Sequence, residues 1–223
     1  MSKQKDSGVK GSDTKSFGLT EAYSVKTPED NKELYRNWAK TYDASFAQQR
    51  GYNYPKHIAQ VYQSYSRSSD LPILDVGAGT GLVAEELLKL SNIAIDAIDI
   101  SPEMLQQSKA KNLYQNYIEA DLSKKLALED GTYGAVVSAG TFTHGHVGPQ
   151  AFKELIRVAQ TNALFCIGVN AQVFDDKGFG SALAGLQAGG LIGPLEFVKA
   201  NYYQSAEDHH AKDIGYTVVF RKR

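Results

Sequence analysis

The sequence predicts an α/β domain built on a doubly wound parallel sheet, and three observations carry that prediction. From residue 70 onward, short apolar runs alternate with segments of helical period, the pattern of parallel strands joined by crossover helices. The first run, Ile73-Leu74-Asp75-Val76, passes into Gly77-Ala78-Gly79-Thr80-Gly81 and then straight into a helical pattern. That is a strand, a tight turn and a helix start, with a backbone lacking Cβ at three points so that a ligand can lie against it. Near the end, two β-rich runs at 196–205 and 214–221 flank a short polar segment and read as an antiparallel hairpin.

Taken in order, residues 1–28 are rich in Ser, Lys, Gly, Asp and Thr without a sustained period and read as a flexible tail. A helix starts near Pro28, and Leu34, Tyr35, Trp38, Ala39 and Tyr42 fall on one aromatic face of it. A second helix starts near Pro55 and carries Ile58, Ala59, Val61, Tyr62 and Tyr65, followed by a polar loop at 66–70. Strands are then expected at 73–76, 93–98, 116–119, 133–138 and 163–169. Helices are expected at 82–90, 102–111, 150–160 and 177–188, the last broken by Gly189-Gly190. Residues 1–28, 29–66 and 70–223 are thus the three units of the chain.

Composition narrows the function. A chain of 223 residues holds one such domain with a full core. A net charge of -1 offers nothing to nucleic acid or an anionic membrane, either of which favours excess positive charge. The single cysteine, Cys166, lies in an apolar run and cannot form an internal disulfide or a cysteine metal cluster, so it reads as a small hydrophobe. No stretch reaches the length of a membrane span, and the start lacks a signal-peptide hydrophobic region. The expectation is a cytoplasmic monomer or homodimer with no nucleic-acid or membrane partner.

The spacing of the glycine turn selects among ligands. It is G-x-G-x-G with an acid two residues ahead, whereas the dinucleotide fingerprint needs its third glycine at position 82, which is Leu82. Asp75 would repel a pyrophosphate but suits a ligand that carries a cation. The run Asp75-Val76-Gly77-Ala78-Gly79-Thr80-Gly81 resembles motif I of the class I S-adenosylmethionine (SAM)-dependent methyltransferases at every position. SAM bears a sulfonium and an ammonium and no phosphate. The resemblance implies SAM as cofactor, held by Asp75, Gly77, Ala78, Gly79, Thr80 and Gly81. It also implies a Rossmann-like sheet of seven strands with the last antiparallel.

Further candidates stand at strand ends, where open α/β sheets bind ligands. Asp99 lies about twenty residues past the glycine turn, the place of an acid that accepts from ribose hydroxyls, with Ile100 beside it. The other use of Asp99, capping the next helix, is already open to Ser101 before Pro102. Met104 lines an adenine pocket or is plain core. Asp121-Leu122 matches the family's adenine-contacting pair, its alternative being a solvated loop acid. In the family the loop after the fourth strand runs behind the methionine end of SAM, so Ser138, Ala139 and Gly140 would supply backbone contacts. His144 is either a general base or a loop histidine holding backbone, and His146 reads as the latter. The His-x-His pair has no third ligand in register, and no metal is expected.

The segment Leu34-Tyr35-Arg36-Asn37-Trp38-Ala39-Lys40-Thr41-Tyr42-Asp43, with Gly51-Tyr52-Asn53-Tyr54-Pro55, resembles the lead-in of the Williams-Beuren syndrome chromosome region methyltransferase-like subgroup. Arg36 departs from it, standing where the pattern has Asp. The resemblance makes 29–66 a helical lid in which Trp38 and Tyr42 cover the cofactor. It implies in-line methyl transfer from SAM to an acceptor. The absence of G-x-S-x-G agrees with chemistry that needs no covalent intermediate. No Asn-Pro-Pro-Tyr run follows the fourth strand and no basic surface is evident, which points to a small-molecule acceptor with an O, N or C nucleophile. The glycine-rich stretch 178–193 falls on the acceptor side of the family. Two alternatives remain: a SAM-binding protein without turnover, and an NAD(P)-dependent oxidoreductase, which Leu82 and the terminal hairpin oppose.

Overall fold

The computed structural model describes residues 19–48, 51–203 and 213–223. Two helices, α1 (Leu19–Ser24) and α2 (Pro28–Trp38), lead through a π-helical turn (Asp43–Gln48) to α3 (Tyr54–Tyr65). Then follow β1 (Ile73–Val76), α4 (Leu82–Leu90), β2 (Ile95–Asp99), α5 (Pro102–Ala110), β3 (Tyr117–Glu119) and β4 (Tyr133–Phe142). The chain continues through α6 (Phe152–Val158), β5 (Ala159–Asn170), α7 (Phe179–Ala188), β6 (Glu196–Asn201) and β7 (Ile214–Arg221). Among the described residues the strands form one seven-stranded sheet in the order β3-β2-β1-β4-β5-β7-β6. β1 pairs in parallel with both β2 and β4, and β7 runs antiparallel to β5 and β6. This is the doubly wound sheet with an antiparallel last strand that the sequence predicts.

Both faces of the sheet are covered, which is why its strands read as continuous apolar runs. Ile73, Ala97, Ala135, Val137, Leu164 and Cys166 pack toward α3 and α4. Leu74, Val76, Ile98, Val136, Phe165 and Ile167 pack toward α6 and α7. Local chemistry sets the helix starts. Thr27 and Asp30 form a reciprocal capping box ahead of Pro28 (3.1 and 3.0 Å), and Ser101 Oγ accepts from the Met104 amide (3.2 Å) to cap α5. Capping by Ser101 leaves Asp99 for other work.

Several boundaries depart from expectation. The described part of the segment expected as tail contains α1, while residues 1–18 lie outside the described residues. Strand β2 ends on Asp99, and β4 runs on to Phe142 because its far end pairs with Val169 of β5. Helix α6 stops at Val158 because Ala159 already pairs with Tyr133. The polar connector of the hairpin lies outside the described residues, apart from Asp213.

Helix α3 sits close to the sheet because the sheet is floored with glycine there. Tyr54 is fully buried, its hydroxyl 3.2 Å from Thr217 Oγ1, and a Cβ on Gly215 would overlap its ring. A Cβ on Gly168 would stand 2.5 Å from Tyr54 Cε1 and 3.0 Å from the Ser138 carbonyl. Overpacking of this kind costs about 1–3 kcal/mol. Gly168→Ala is therefore expected to lower unfolding stability by about 1–3 kcal/mol in urea denaturation, and an unchanged midpoint would refute this account of the packing.

Candidate functional site

A cavity of about 400 Å³ opens where β1, β2 and β4 end, at the switch point of the sheet. One wall is the glycine turn and the other is α2 with the aromatic residues that follow it. The turn is held from behind: Ser138 Oγ and Thr141 Oγ1 both donate to the Val76 carbonyl (2.7 and 2.9 Å), while the Gly77 and Ala78 amides donate to the Ile98 carbonyl (2.8 and 3.1 Å). Gly77 (φ 66°) has no room for a Cβ, which would overlap the Thr141 side chain. Gly79 (φ 54°) differs, since a Cβ there would meet only Met104 Cε at 3.7 Å and the Gly77 carbonyl at 4.0 Å. Its bare backbone faces the cavity.

Of the residues the sequence nominates, Tyr42, Gly77, Ala78, Gly79, Thr80, Asp99, Ile100, Met104, Asp121, Leu122, Ala139 and Gly140 come together on the cavity wall. Asp99 Oδ2 accepts from the Gly79 amide (2.8 Å) and Oδ1 from the Ser101 amide (2.9 Å). Burial pushes its carboxyl above the usual range against these bonds. Asp121 is also partly buried, but hydrogen bonds from Ser123 and Lys124 outweigh that and keep it ionised.

Five nominated residues stand outside the main cavity, each for a physical reason. Asp75 points to the α3 and α4 side of the sheet, where its Oδ2 accepts from the Tyr114 hydroxyl (2.7 Å) and its buried Oδ1 has no partner. Burial pushes it up to about 7, Tyr114 opposing and Asp99 adding to the shift. Gly81 caps α4 against Leu113. Ser138 is fully buried behind the turn. Trp38 is buried between Tyr35 (6.1 Å between centroids, stacked) and Tyr42 (5.0 Å, edge-on), with Nε1 donating to Ser45 Oγ (3.3 Å). His144 packs its ring on Tyr23 (4.3 Å) instead of facing the cavity. The glycine-rich stretch 178–193 is not on the cavity wall either, because Phe179 and Leu183 of α7 pack into the opposite layer of the core.

His146 occupies the place expected of His144. Its Nδ1 donates to the His144 carbonyl, which leaves Nε2 to accept from the Tyr35 hydroxyl (3.2 Å) and fixes the tautomer. Burial pushes the ring down to about 4, with the nearby Lys177 and His144 adding to the shift. Tyr35 and Tyr52 also line the cavity. The periodicity carries the signal for Tyr35, one helical face with Trp38 and Tyr42, whereas nothing local distinguishes His146 from His144. The π-helical turn after α2 is tied to the glycine turn: Asp43 accepts from Thr80 Oγ1 and from Lys111 Nζ (both 2.6 Å), and Lys111 also reaches Glu85 (2.6 Å). Among the described residues no group of three or more His, Cys, Asp or Glu side chains could hold a metal ion, and no helix is long and apolar enough to cross a membrane.

The two perturbed groups act oppositely on stability. His146 binds fewer protons folded than unfolded between pH 6.5 and about 4, so its contribution weakens stability as pH falls through that window. Asp75 binds more protons folded than unfolded between 3.8 and about 7, so its contribution weakens stability as pH rises. Relative to wild type, Asp75→Asn is expected to gain stability with rising pH, by on the order of 3 kcal/mol at pH 8. His146→Gln is expected to hold an advantage near pH 4 that vanishes by pH 7. Urea unfolding across this pH series measures both, and parallel profiles would refute the assignments.

Residues 74–167 match the family described as "Methyltransferase domain". Over 151 residues the chain is 32% identical to Methyltransferase-like protein 27 of Homo sapiens, covering 66% of this chain and 60% of that protein. It is 38% identical over 88 residues to Malonyl-[acyl-carrier protein] O-methyltransferase 1 of Ilyobacter polytropus, covering 37% and 31%. The chain thus spans less than two thirds of either relative. A SAM-dependent methyltransferase from Aquifex aeolicus superposes with a TM-score of 0.54 at 20% identity, over 87% of this chain and 98% of that one, a likeness of fold. The seven-stranded sheet with its antiparallel last strand is the class I methyltransferase fold, and residues 74–167 within it match the model of a methyltransferase domain.

Proposed function

We propose that this protein is a SAM-dependent methyltransferase that acts on a small-molecule acceptor by in-line displacement. The observation that carries the reading is the carboxylate of Asp99 fixed beside the bare backbone of Gly79 on a cavity wall. Two further observations fit the group. The buried Asp75 Oδ1 lacks a partner just behind the turn, and Asp121 presents an ionised acceptor farther along the same wall.

SAM, when bound, supplies a methyl group already activated on a sulfonium. The chain's own residues then bind and orient. Asp99 accepts from ribose hydroxyls, and Asp121 with the Leu122 amide meets the polar edge of adenine. The turn from Gly77 to Gly79 lies against the methionine end, and the Asp99 carboxylate beside it suits the cofactor's positive charge. Residues 29–66 serve as the lid over the domain at 70–223, with Tyr42 on the cofactor and the Asp43 latch holding it closed against water. Neutral His146, in place of His144, is the ring that faces the reacting space and holds the Tyr35 hydroxyl in position. The Trp38, Tyr42 and Tyr52 pattern supports placement in the Williams-Beuren syndrome chromosome region methyltransferase-like subgroup.

Calorimetry with SAM tests the binding half. Wild type is expected to bind, and Asp99→Ala to bind about 10- to 100-fold more weakly, the range of one or two hydrogen bonds to a charged group. Absence of wild-type binding, or unchanged affinity in the variant, would sink the reading. Transfer of tritium from labelled SAM into a metabolite extract tests turnover, and a persistent blank with tight SAM binding would leave a binding protein.

A further inference from the structure

Three ties fix the course of α2 over the cavity. Lys32 pairs with Glu119 at the end of β3 (3.5 Å), and Arg36 pairs with Glu103 at the start of α5, just past β2 (3.1 Å). Asp43, beyond the helix, accepts from Thr80 in the glycine turn after β1 (2.6 Å). The segment therefore passes the ends of β3, β2 and β1 in that order. On the SAM reading, on which this inference rests, adenine, ribose and the methionine end follow the same order, at Asp121, Asp99 and the turn from Gly77 to Gly79.

Positions 31, 34, 35 and 38 share one face of α2. Leu34, Tyr35 and Trp38 make that face apolar and aromatic, and Asn31 is its polar exception. Asn31 is 8% exposed, and its carboxamide has no hydrogen bond among the described residues. It lines the cavity, and neither its oxygen nor its nitrogen is sealed off. Thr27, which lines the cavity with it, is already engaged in the capping box. The tie of the adjacent Lys32 sets Asn31 at the β3 end, where Asp121, Leu122 and Ser123 line the same cavity. A buried carboxamide on an otherwise apolar face calls for a partner, since an apolar residue there would cost less.

A carboxamide presents an acceptor and a donor side by side, the complement of the adenine edge formed by N6 and N7. We propose that Asn31 reads this edge of the cofactor's base. Its Oδ1 accepts from the N6 hydrogen on the N7 side, and its Nδ2 donates to N7. Asp121 and the Leu122 amide take the other N6 hydrogen and the ring nitrogen beyond it. The base is then held on both edges, one by the loop after β3 and one by α2, so the N-terminal helix itself selects adenine.

The test titrates S-adenosylhomocysteine and its 7-deaza analogue, in which C–H replaces N7, into the full chain by calorimetry. Wild type is expected to bind S-adenosylhomocysteine at least about fivefold more tightly than the analogue. In Asn31→Leu, affinity for S-adenosylhomocysteine is expected to fall at least about fivefold, and the preference between the two ligands to shrink to within about twofold. The urea midpoint of the unliganded variant is expected to be unchanged or higher, because an apolar side chain replaces an unbonded amide. A lower midpoint would make Asn31 a structural residue and overturn the proposal. So would equal binding of both ligands by wild type, a result that needs no variant, or a full preference retained in Asn31→Leu. Failure of the wild type to bind S-adenosylhomocysteine at all would overturn the SAM reading and this proposal with it.

Discussion

Everything at the site depends on one captured carbonyl. The Val76 oxygen at the end of β1 accepts from two hydroxyls of β4, Ser138 and Thr141, and Thr141 also fills the space that any Cβ on Gly77 would need. The first glycine is thus required by its neighbour on the adjacent strand and not by a ligand. Once the chain has turned there, the Gly77 and Ala78 amides reach across to the Ile98 carbonyl of β2. Three strands are tied at the switch point by these bonds. Gly79, one step on, presents bare backbone beside Asp99 because the turn behind it cannot move.

The N-terminal helices are attached by different physics. Apart from the buried Thr80, which donates to Asp43, their polar ties to the body, Asp43 to Lys111, Arg36 to Glu103 and Lys32 to Glu119, join exposed or half-buried groups. Exposed pairs of this type contribute about 0–1 kcal/mol each. Leu34 and Trp38 are buried in the same core cluster as Ile73, Ala97 and Val137 of the sheet, so apolar contact adds to these ties. A π-helical turn at Asp43–Gln48 carries the chain from α2 toward α3, and such turns gather at functional sites.

The fold was largely legible because its signals are local. The β1 and α4 bounds follow from an apolar run, a glycine turn and a helical period with no competing pattern. β7 reads as cleanly because it is an apolar stretch bounded by polar residues. Strand ends in β2, β4 and β5 were illegible, since pairing with a neighbour decides where each stops and no local signal reports it. The site divides in the same way. Asp99 and Asp121 stand at strand ends and their places follow from topology. The exchange of His144 for His146 turns on which way two alternate loop residues face, and that is settled by Tyr23 and Tyr35 from distant helices.

What marks the turn is an imbalance of charge. Asp75 and Asp99 are buried near the turn, and their hydrogen-bond partners are the Tyr114 hydroxyl and backbone amides, all neutral. Burying carboxyls without cations raises their affinity for protons and costs stability, a cost that a protein selected for folding alone would remove with one Lys or Arg. The chain has such residues in supply and places them elsewhere: Arg221 pairs with buried Asp70, and Arg157 with Glu154. The missing positive charge is then best supplied by the occupant. On the SAM reading proposed above, the cofactor's sulfonium supplies it from the cavity, which the Asp99 carboxylate lines beside the bare backbone of Gly79.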